Sequence, residues 1–183
     1  SLAVMYGMAE VTLGLTVTEA GKPITELVVD RNELSRGVMK LAGKDSVKRV
    51  CVSSGKLLGG CDAKIVDENR IEIPDGMVGE IAVKSVSMFD GYRNYPEKTA
   101  EVVENGWYYS GDYGFRYHDE FFVIGRKKDL IIVAGKNIYP EDIEDALNSV
   151  EGIIPGRVIS FGEEDEQMGT EQIAVVAETK LES

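Results

Sequence analysis

Short alternations of apolar and polar residues, cut at close intervals by glycine, proline and acidic residues, dominate the first two thirds of the chain. Residues 11–17 (Val-Thr-Leu-Gly-Leu-Thr-Val) alternate apolar with small or polar side chains and predict a half-buried strand. Residues 63–66, 70–73 and 79–83 repeat that pattern, separated by Asp67-Glu68-Asn69 and by Pro74-Asp75-Gly76. Closely spaced strands with polar turns predict an antiparallel sheet or a small barrel. Residues 96–103 start at a proline and predict one short helix. Residues 18–50 are polar and irregular outside 26–29 and predict no definite element.

The pattern changes after residue 120. Residues 121–124 and 130–133 are apolar strands around the charged turn 125–129. Pro140 then opens a helix: Glu141 and Asp142 suit its positive end, and Ile143, Ala146, Leu147 and Val150 share one face, with Gly152 as its stop. Two further strands, 157–161 and 172–177, flank the acidic loop 162–171. The chain is therefore expected to be α+β, with a β-rich, barrel-like domain over residues 1–127 and the start of a small α+β domain over 128–183.

Composition narrows the function. The 183 residues are 43% hydrophobic and 28% charged, as in a globular protein, and carry a formal net charge of −12. That charge argues against non-specific nucleic-acid binding, which needs basic surface. No apolar run approaches the roughly 20 residues of a membrane-spanning helix, and no signal-peptide pattern is visible. Cys51 and Cys61 match no metal-site spacing and read as reduced cysteines of a cytoplasmic protein.

Three segments carry candidate chemistry. In Tyr6-Gly7-Met8-Ala9-Glu10, a bare glycine backbone beside an aromatic ring admits a flat ligand, and the carboxylate suits a hard cation; a tight turn before a strand is the structural alternative. In Gly106-Trp107-Tyr108-Tyr109-Ser110-Gly111-Asp112, the aspartate can accept from two ribose hydroxyls, or the segment is a hairpin turn with packed aromatics. The third, residues 125–144, runs from Gly125-Arg126-Lys127-Lys128-Asp129 through Gly135-Lys136-Asn137 to Tyr139-Pro140-Glu141-Asp142, between a strand and a helix.

In order and spacing these segments resemble the adenylate-forming superfamily of acyl-CoA synthetases, luciferases and nonribosomal-peptide adenylation domains. The resemblance implies ATP/AMP and Mg²⁺ as cofactors. It assigns Tyr6 to the adenine, Glu10 to Mg²⁺ and catalysis, Asp112 to the ribose, and Arg126 to ribose and phosphate. Gly7, Met8, Ala9 and Ile124 fall at the cofactor site. Lys128 falls at the hinge about which the small domain swings, and Gly135 on the path of the acceptor thiol.

Other parts of the family pattern are not seen. Its Ser/Thr/Gly-rich phosphate loop lies before the first segment; Ser53-Ser54-Gly55-Lys56 lacks phosphate-loop spacing. Lys180 has no Ser-Gly-Lys context and is not promoted to the catalytic lysine of adenylation. A fragment, inactive by itself, is expected. Ala9 in place of the usual threonine, the long interval from Gly7 to Gly55, and Asp30-Arg31-Asn32-Glu33-Leu34 resemble the fatty acyl-AMP ligases. Those join a fatty acid to AMP and pass the acyl group to an acyl carrier protein. An acyl-CoA synthetase using coenzyme A, a non-catalytic adenylate-binding protein and a plain interaction module remain alternatives. His118, Trp107, Tyr108 and Tyr139 read as surface or packing residues.

Overall fold

A strand can be apolar on both sides only where both sheet faces are covered, and Gly79–Ser85 is such a strand. Its first five residues are all buried. The computed structural model describes residues 2–165 and 169–180. The chain divides into two compact units, Ser1–Ile124 and Gly125–Ser183.

In the first unit, Gly79–Ser85 lies between Cys61–Val66 and Trp107–Tyr117, and the strand Glu120–Arg126, whose residues 120–124 belong to this unit, continues the sheet. Both neighbours of the central strand run antiparallel to it. The sheet curls as a half-barrel. Alternation sorts its side chains: Ile81 and Val83 meet Val11, Leu15, Ala63, Ile65, Tyr108 and Phe121 on one face, while Ala82, Val66 and Tyr109 pack on the other. Phe115 and Phe122 stack at 4.9 Å. The two-residue turn after Tyr117 has positive φ at His118 (50°) and Asp119 (63°), which matches the right-handed twist of its strands.

The register of Trp107–Tyr117 slips where the second candidate segment lies. Glu80 pairs with Tyr113 but Ala82 pairs with Tyr109, so Ser110-Gly111-Asp112 stand opposite the single residue Ile81. Gly111 takes φ 73° in this bulge. Side chains close it: Ser110 Oγ donates to the Ile81 carbonyl (2.7 Å) and accepts from Asp112 N (3.1 Å), and the buried Glu80 carboxylate accepts from Gly111 N (2.9 Å). The second segment therefore holds both a hairpin turn, Asn105-Gly106 (φ 52° and 77°) between Val103–Glu104 and Trp107–Tyr117, and, at Ser110–Asp112, a bulge within that eleven-residue strand.

Three further expectations need correction. Residues 11–17 are not one strand. Ala9–Val11 is a 3₁₀ turn, Thr12 (φ 62°) and Leu13 (φ 112°) are left-handed, and only Thr16–Val17 is extended, paired with Met5–Tyr6 and Lys56–Leu57. Residues 70–73 supply one isolated bridge, Glu72 to Val66, with Ile71 63% exposed. Residues 18–50, irregular by their pattern outside 26–29, hold the strand Glu26–Asp30, which pairs antiparallel with Lys48–Val52, and the one-turn helix Arg31–Leu34. Asp30 caps that helix by accepting from the backbones of Asn32 and Glu33. The Ser46 hydroxyl, followed by those two amides, holds the Asp30 carboxyl below its usual range.

The second unit is α+β. Ile131–Val133 and Lys136–Ile138 form a hairpin, and Ile153–Asp165 and Thr170–Thr179 a longer one. The second hairpin extends well beyond the strands expected at 157–161 and 172–177. Of the expected loop, residues 166–168 lie outside the described residues. The helix Pro140–Leu147 starts at its proline as expected but stops before Val150, which is 47% exposed. It is fastened to the long hairpin by Ser160, whose N donates to Glu144 Oε1 (2.9 Å) and whose hydroxyl donates to the Pro140 carbonyl (3.0 Å).

Candidate functional site

The first two segments, far apart in sequence, meet in the first unit. Met5–Tyr6 ends where the loop to Thr16 begins, and the loop folds back so that Leu15 N donates to the Tyr6 carbonyl at 2.9 Å. That closure aims the Tyr6 hydroxyl at the bulge, where it donates to Asp112 Oδ2 at 2.8 Å across 106 residues. Tyr6 and Asp112 are both half-buried. An aromatic ring and a carboxylate thus share one position, which suits a flat base joined to a sugar with paired hydroxyls.

Gly7 is exposed, yet nothing larger fits there: a Cβ would stand 1.5 Å from the Leu13 carbonyl oxygen. Met8 packs against the core and Ala9 is exposed at the start of the 3₁₀ turn. Glu10 follows in that turn. Its carbonyl accepts from Phe89 N (2.8 Å), and its Oε1 accepts from the Tyr92 hydroxyl (2.7 Å). The Tyr92 and Tyr108 hydroxyls are 3.3 Å apart.

Burial raises the Tyr92 phenol above its ordinary value, with the Glu10 carboxylate adding to the rise. Burial also raises Tyr108, helped by its bond to Tyr92 and by Glu10. Both phenols stay protonated in the folded chain where free tyrosine ionises, near pH ~10. Their stabilising effect is therefore complete below that pH and is lost as pH rises through the raised folded values. Alkaline unfolding followed by circular dichroism should show stability falling above about pH 10. The fall should be shallower in the Tyr92→Phe, Tyr108→Phe double variant; equal slopes in both proteins would contradict this.

A Mg²⁺ ion keeps most of its waters and is held by one or two carboxylates plus phosphate oxygens. Glu10 offers one such carboxylate. Among the described residues, no group of three or more His, Cys, Asp or Glu side chains could hold a metal without a nucleotide.

The remaining candidates stand as follows. Ile124 is buried in the first unit, and its carbonyl accepts from Arg49 Nη2 (3.1 Å). In the second unit Arg126 is exposed at the end of its strand, and Lys128 is exposed in the 3₁₀ turn Lys127–Asp129. Lys128 borders a cleft of about 430 Å³ with Glu141, Glu144 and Ser160. Ala134 (φ 49°) and Gly135 (φ 74°) form the tight turn of the Ile131–Val133/Lys136–Ile138 hairpin. Of the stretch Ser53–Lys56, residues 53–55 are internal scaffolding and Lys56 is exposed. Ser53 and Ser54 are buried, Ser54 N donates to the Phe121 carbonyl and Phe121 N to the Gly55 carbonyl.

Sequence reasoning missed Tyr92, Glu80 and Ser110, and read Tyr108 only as packing. A buried acidic residue inside an apolar strand marks Glu80 as a special position. Tyr92 carries no such local signal, because its partner is 82 residues away.

No protein family model matches the chain. It is similar to the long-chain-fatty-acid–AMP ligase FadD32 of Mycolicibacterium smegmatis, at 34% identity over 85% of this chain and 28% of that protein. It is 34% identical to the probable long-chain-fatty-acid–AMP ligase FadD30 of Mycobacterium tuberculosis, over 97% of this chain and 32% of that one. A putative acyl–CoA ligase of Bacillus subtilis, YdaB, shares 40% identity over 60% of this chain and 22% of its own length. Among solved structures, one from a study of fatty acyl-adenylate ligases of E. coli and L. pneumophila superposes with a TM-score of 0.88 at 28% identity, over 98% of this chain and 32% of that one. The McyG adenylation and carrier domain pair, complexed with phenylalanyl-adenylate, gives 0.76 at 27% identity, over 98% and 29%. The chain spans about a third or less of the length of these proteins.

Proposed function

Since this chain belongs to the adenylate-forming superfamily, we propose that it is the adenylate-holding and hinge-bearing part of an ATP-dependent, AMP-forming acid ligase. The reaction joins a carboxylate oxygen to the α-phosphorus of ATP and breaks the bond to pyrophosphate, giving an acyl-adenylate. In a second step a thiol attacks the acyl carbonyl and AMP leaves. The single observation that carries the reading is the hydrogen bond from Tyr6 to Asp112, which joins an aromatic ring and a ribose-type acceptor from separate segments.

In this reading Tyr6 stacks on adenine, Asp112 accepts from the ribose hydroxyls and Glu10 meets the cation at the phosphates. When bound, Mg²⁺ neutralises phosphate charge and steadies the leaving pyrophosphate. Arg126 adds positive charge at ribose and phosphate, where fixed charge stabilises the transition state. Lys128 is the pivot that exchanges one half-reaction for the other, and Gly135 leaves room for the thiol.

The acid is a fatty acid and the acceptor an acyl carrier protein. This is supported by relatives named long-chain-fatty-acid–AMP ligases, by Ala9 and by the long interval before Gly55. Coenzyme A as acceptor is the second reading, favoured by the resemblance to an acyl–CoA ligase. The 183 residues alone, without a phosphate loop or a Ser-Gly-Lys lysine, are proposed to be inactive. Cys51 and Cys61 as thiols support a cytoplasmic setting, and no helix among the described residues is long and apolar enough to cross a membrane.

Pyrophosphate exchange on the full-length protein tests the reading. Exchange should require a carboxylic acid, and acyl transfer to holo-acyl carrier protein should exceed transfer to coenzyme A. Exchange without acid dependence would refute the ligase; better transfer to coenzyme A would select the second reading. Proline at position 128 removes a backbone N–H and locks φ. Lys128→Pro should therefore lower thiol transfer more than adenylation, because a pivot acts on the exchange between half-reactions. Equal loss in both half-reactions would remove Lys128 as the pivot.

A further inference from the structure

Glu10 is held at both its main chain and its side chain by the stretch around Phe89–Thr99, with the Tyr108 hydroxyl of the strand Trp107–Tyr117 also bonded to its carboxylate. Phe89 N donates to the Glu10 carbonyl (2.8 Å), and three residues later the Tyr92 hydroxyl donates to Glu10 Oε1 (2.7 Å). Tyr92 itself is fixed. Its N donates to Thr99 Oγ1 (2.9 Å) in the helix Pro96–Val102, and its ring meets Phe89 edge-on at 5.0 Å. Phe89 in turn meets Tyr108 edge-on at 5.8 Å. The preceding Gly91, at φ 141°, approaches so closely that a Cβ would lie 2.9 Å from Thr99 Cγ2. A surface glutamate needs none of this support.

We propose that Tyr92 is a positioning residue for Glu10, its hydroxyl holding the carboxylate so that a magnesium nucleotide meets a ligand already in place. The inference rests on the reading of Glu10 as the residue that meets the cation. Carboxylates that bind metals are commonly oriented by hydrogen-bonding neighbours, and losing such a neighbour weakens metal binding by about tenfold or more. A phenol suits this task because it donates one directed hydrogen bond without adding charge. Held in advance, the glutamate loses less side-chain freedom when the cation arrives.

The test is a calorimetric titration of ATP into the full-length protein at a series of Mg²⁺ concentrations. Tyr92→Phe should raise the Mg²⁺ concentration for half-maximal ATP binding about tenfold, leaving ATP affinity at saturating Mg²⁺ and the melting temperature near wild type. Glu10→Gln should raise that midpoint at least as far, and adding Tyr92→Phe to it should change nothing more. Should Tyr92→Phe not fold, Thr99→Val loosens the Tyr92 backbone instead and should move the midpoint in the same direction. An unmoved midpoint, or an equal shift on the Glu10→Gln background, would overturn the positioning role alone. ATP binding by the wild type that ignores Mg²⁺ would overturn the role together with the reading of Glu10.

Discussion

Replacing Gly7 with alanine is expected to destabilise the first unit by about 4 kcal/mol, a magnitude that calls for a specific clash. The clash is specific here: the new Cβ would lie 1.5 Å from the Leu13 carbonyl oxygen and 2.6 Å from its carbon. The obstacle is main chain, so no rotamer change relieves it. Nor can the loop yield easily. Leu13 N donates to the Met8 carbonyl at 3.0 Å and Leu15 N to the Tyr6 carbonyl at 2.9 Å, while Thr12 and Leu13 already occupy left-handed conformations. Each such residue stores about 1–3 kcal/mol, which leaves little tolerance for further distortion.

Gly135→Ala is the matched control. Gly135 has φ 74° but nothing within 4 Å of a Cβ, so only the backbone penalty applies, about 1–2 kcal/mol. Urea unfolding of the two variants would separate steric exclusion from backbone preference. A loss below about 1 kcal/mol for Gly7→Ala would mean that residues 7–14 do not close as described. Because Tyr6 and Glu10 flank this closure, Gly7→Ala should also abolish nucleotide binding by the full-length protein.

Asp112→Ala is expected to weaken ATP binding about a hundredfold, roughly the loss of two hydrogen bonds to a charged acceptor. The bulge should survive it, because Gly111 N is held by Glu80 and the Ser110 hydroxyl by the Ile81 carbonyl, neither through the Asp112 side chain. A melting temperature close to wild type, combined with the lost affinity, would therefore mark Asp112 as a ligand-binding residue. Tyr6→Phe removes only the donor to Oδ2 and keeps the ring, so its loss should be about tenfold or less. Wild-type ATP affinity in Asp112→Ala, measured by calorimetry, would remove the ribose assignment.

Other changes follow from how far local pattern reaches. The strand at 79–83 and the helix start at Pro140 are legible because their causes are local: β-branched Ile81 and Val83 alternating between turn residues, and a proline that donates no N–H. The helix end is not, since Val150 continues the apolar spacing but finds no surface to cover. In 11–17 the alternation misleads. Val11 and Leu15 are both buried, and they reach the core from opposite sides of a left-handed turn. The strand Lys48–Val52 is invisible alone because its partner, Glu26–Asp30, lies across a long, polar intervening stretch.

The chemistry divides along the same line. Tyr6, Gly7, Glu10, Asp112, Arg126, Lys128 and Gly135 stand in ordered segments whose residue types and spacing can be read along the chain, and those segments suffice to place it in its superfamily. Their spatial arrangement cannot be read that way. Tyr6 reaches Asp112 across 106 residues and Tyr92 reaches Glu10 across 82. Periodicity registers only neighbours one strand or one helical turn apart. Contacts of that length appear only once sheet register, the bulge at Ser110–Asp112 and the closure at Gly7 have set the backbone. The family was therefore written in the linear order of motifs, whereas the support around Glu10 arises from packing between distant segments, which no window along a single chain contains.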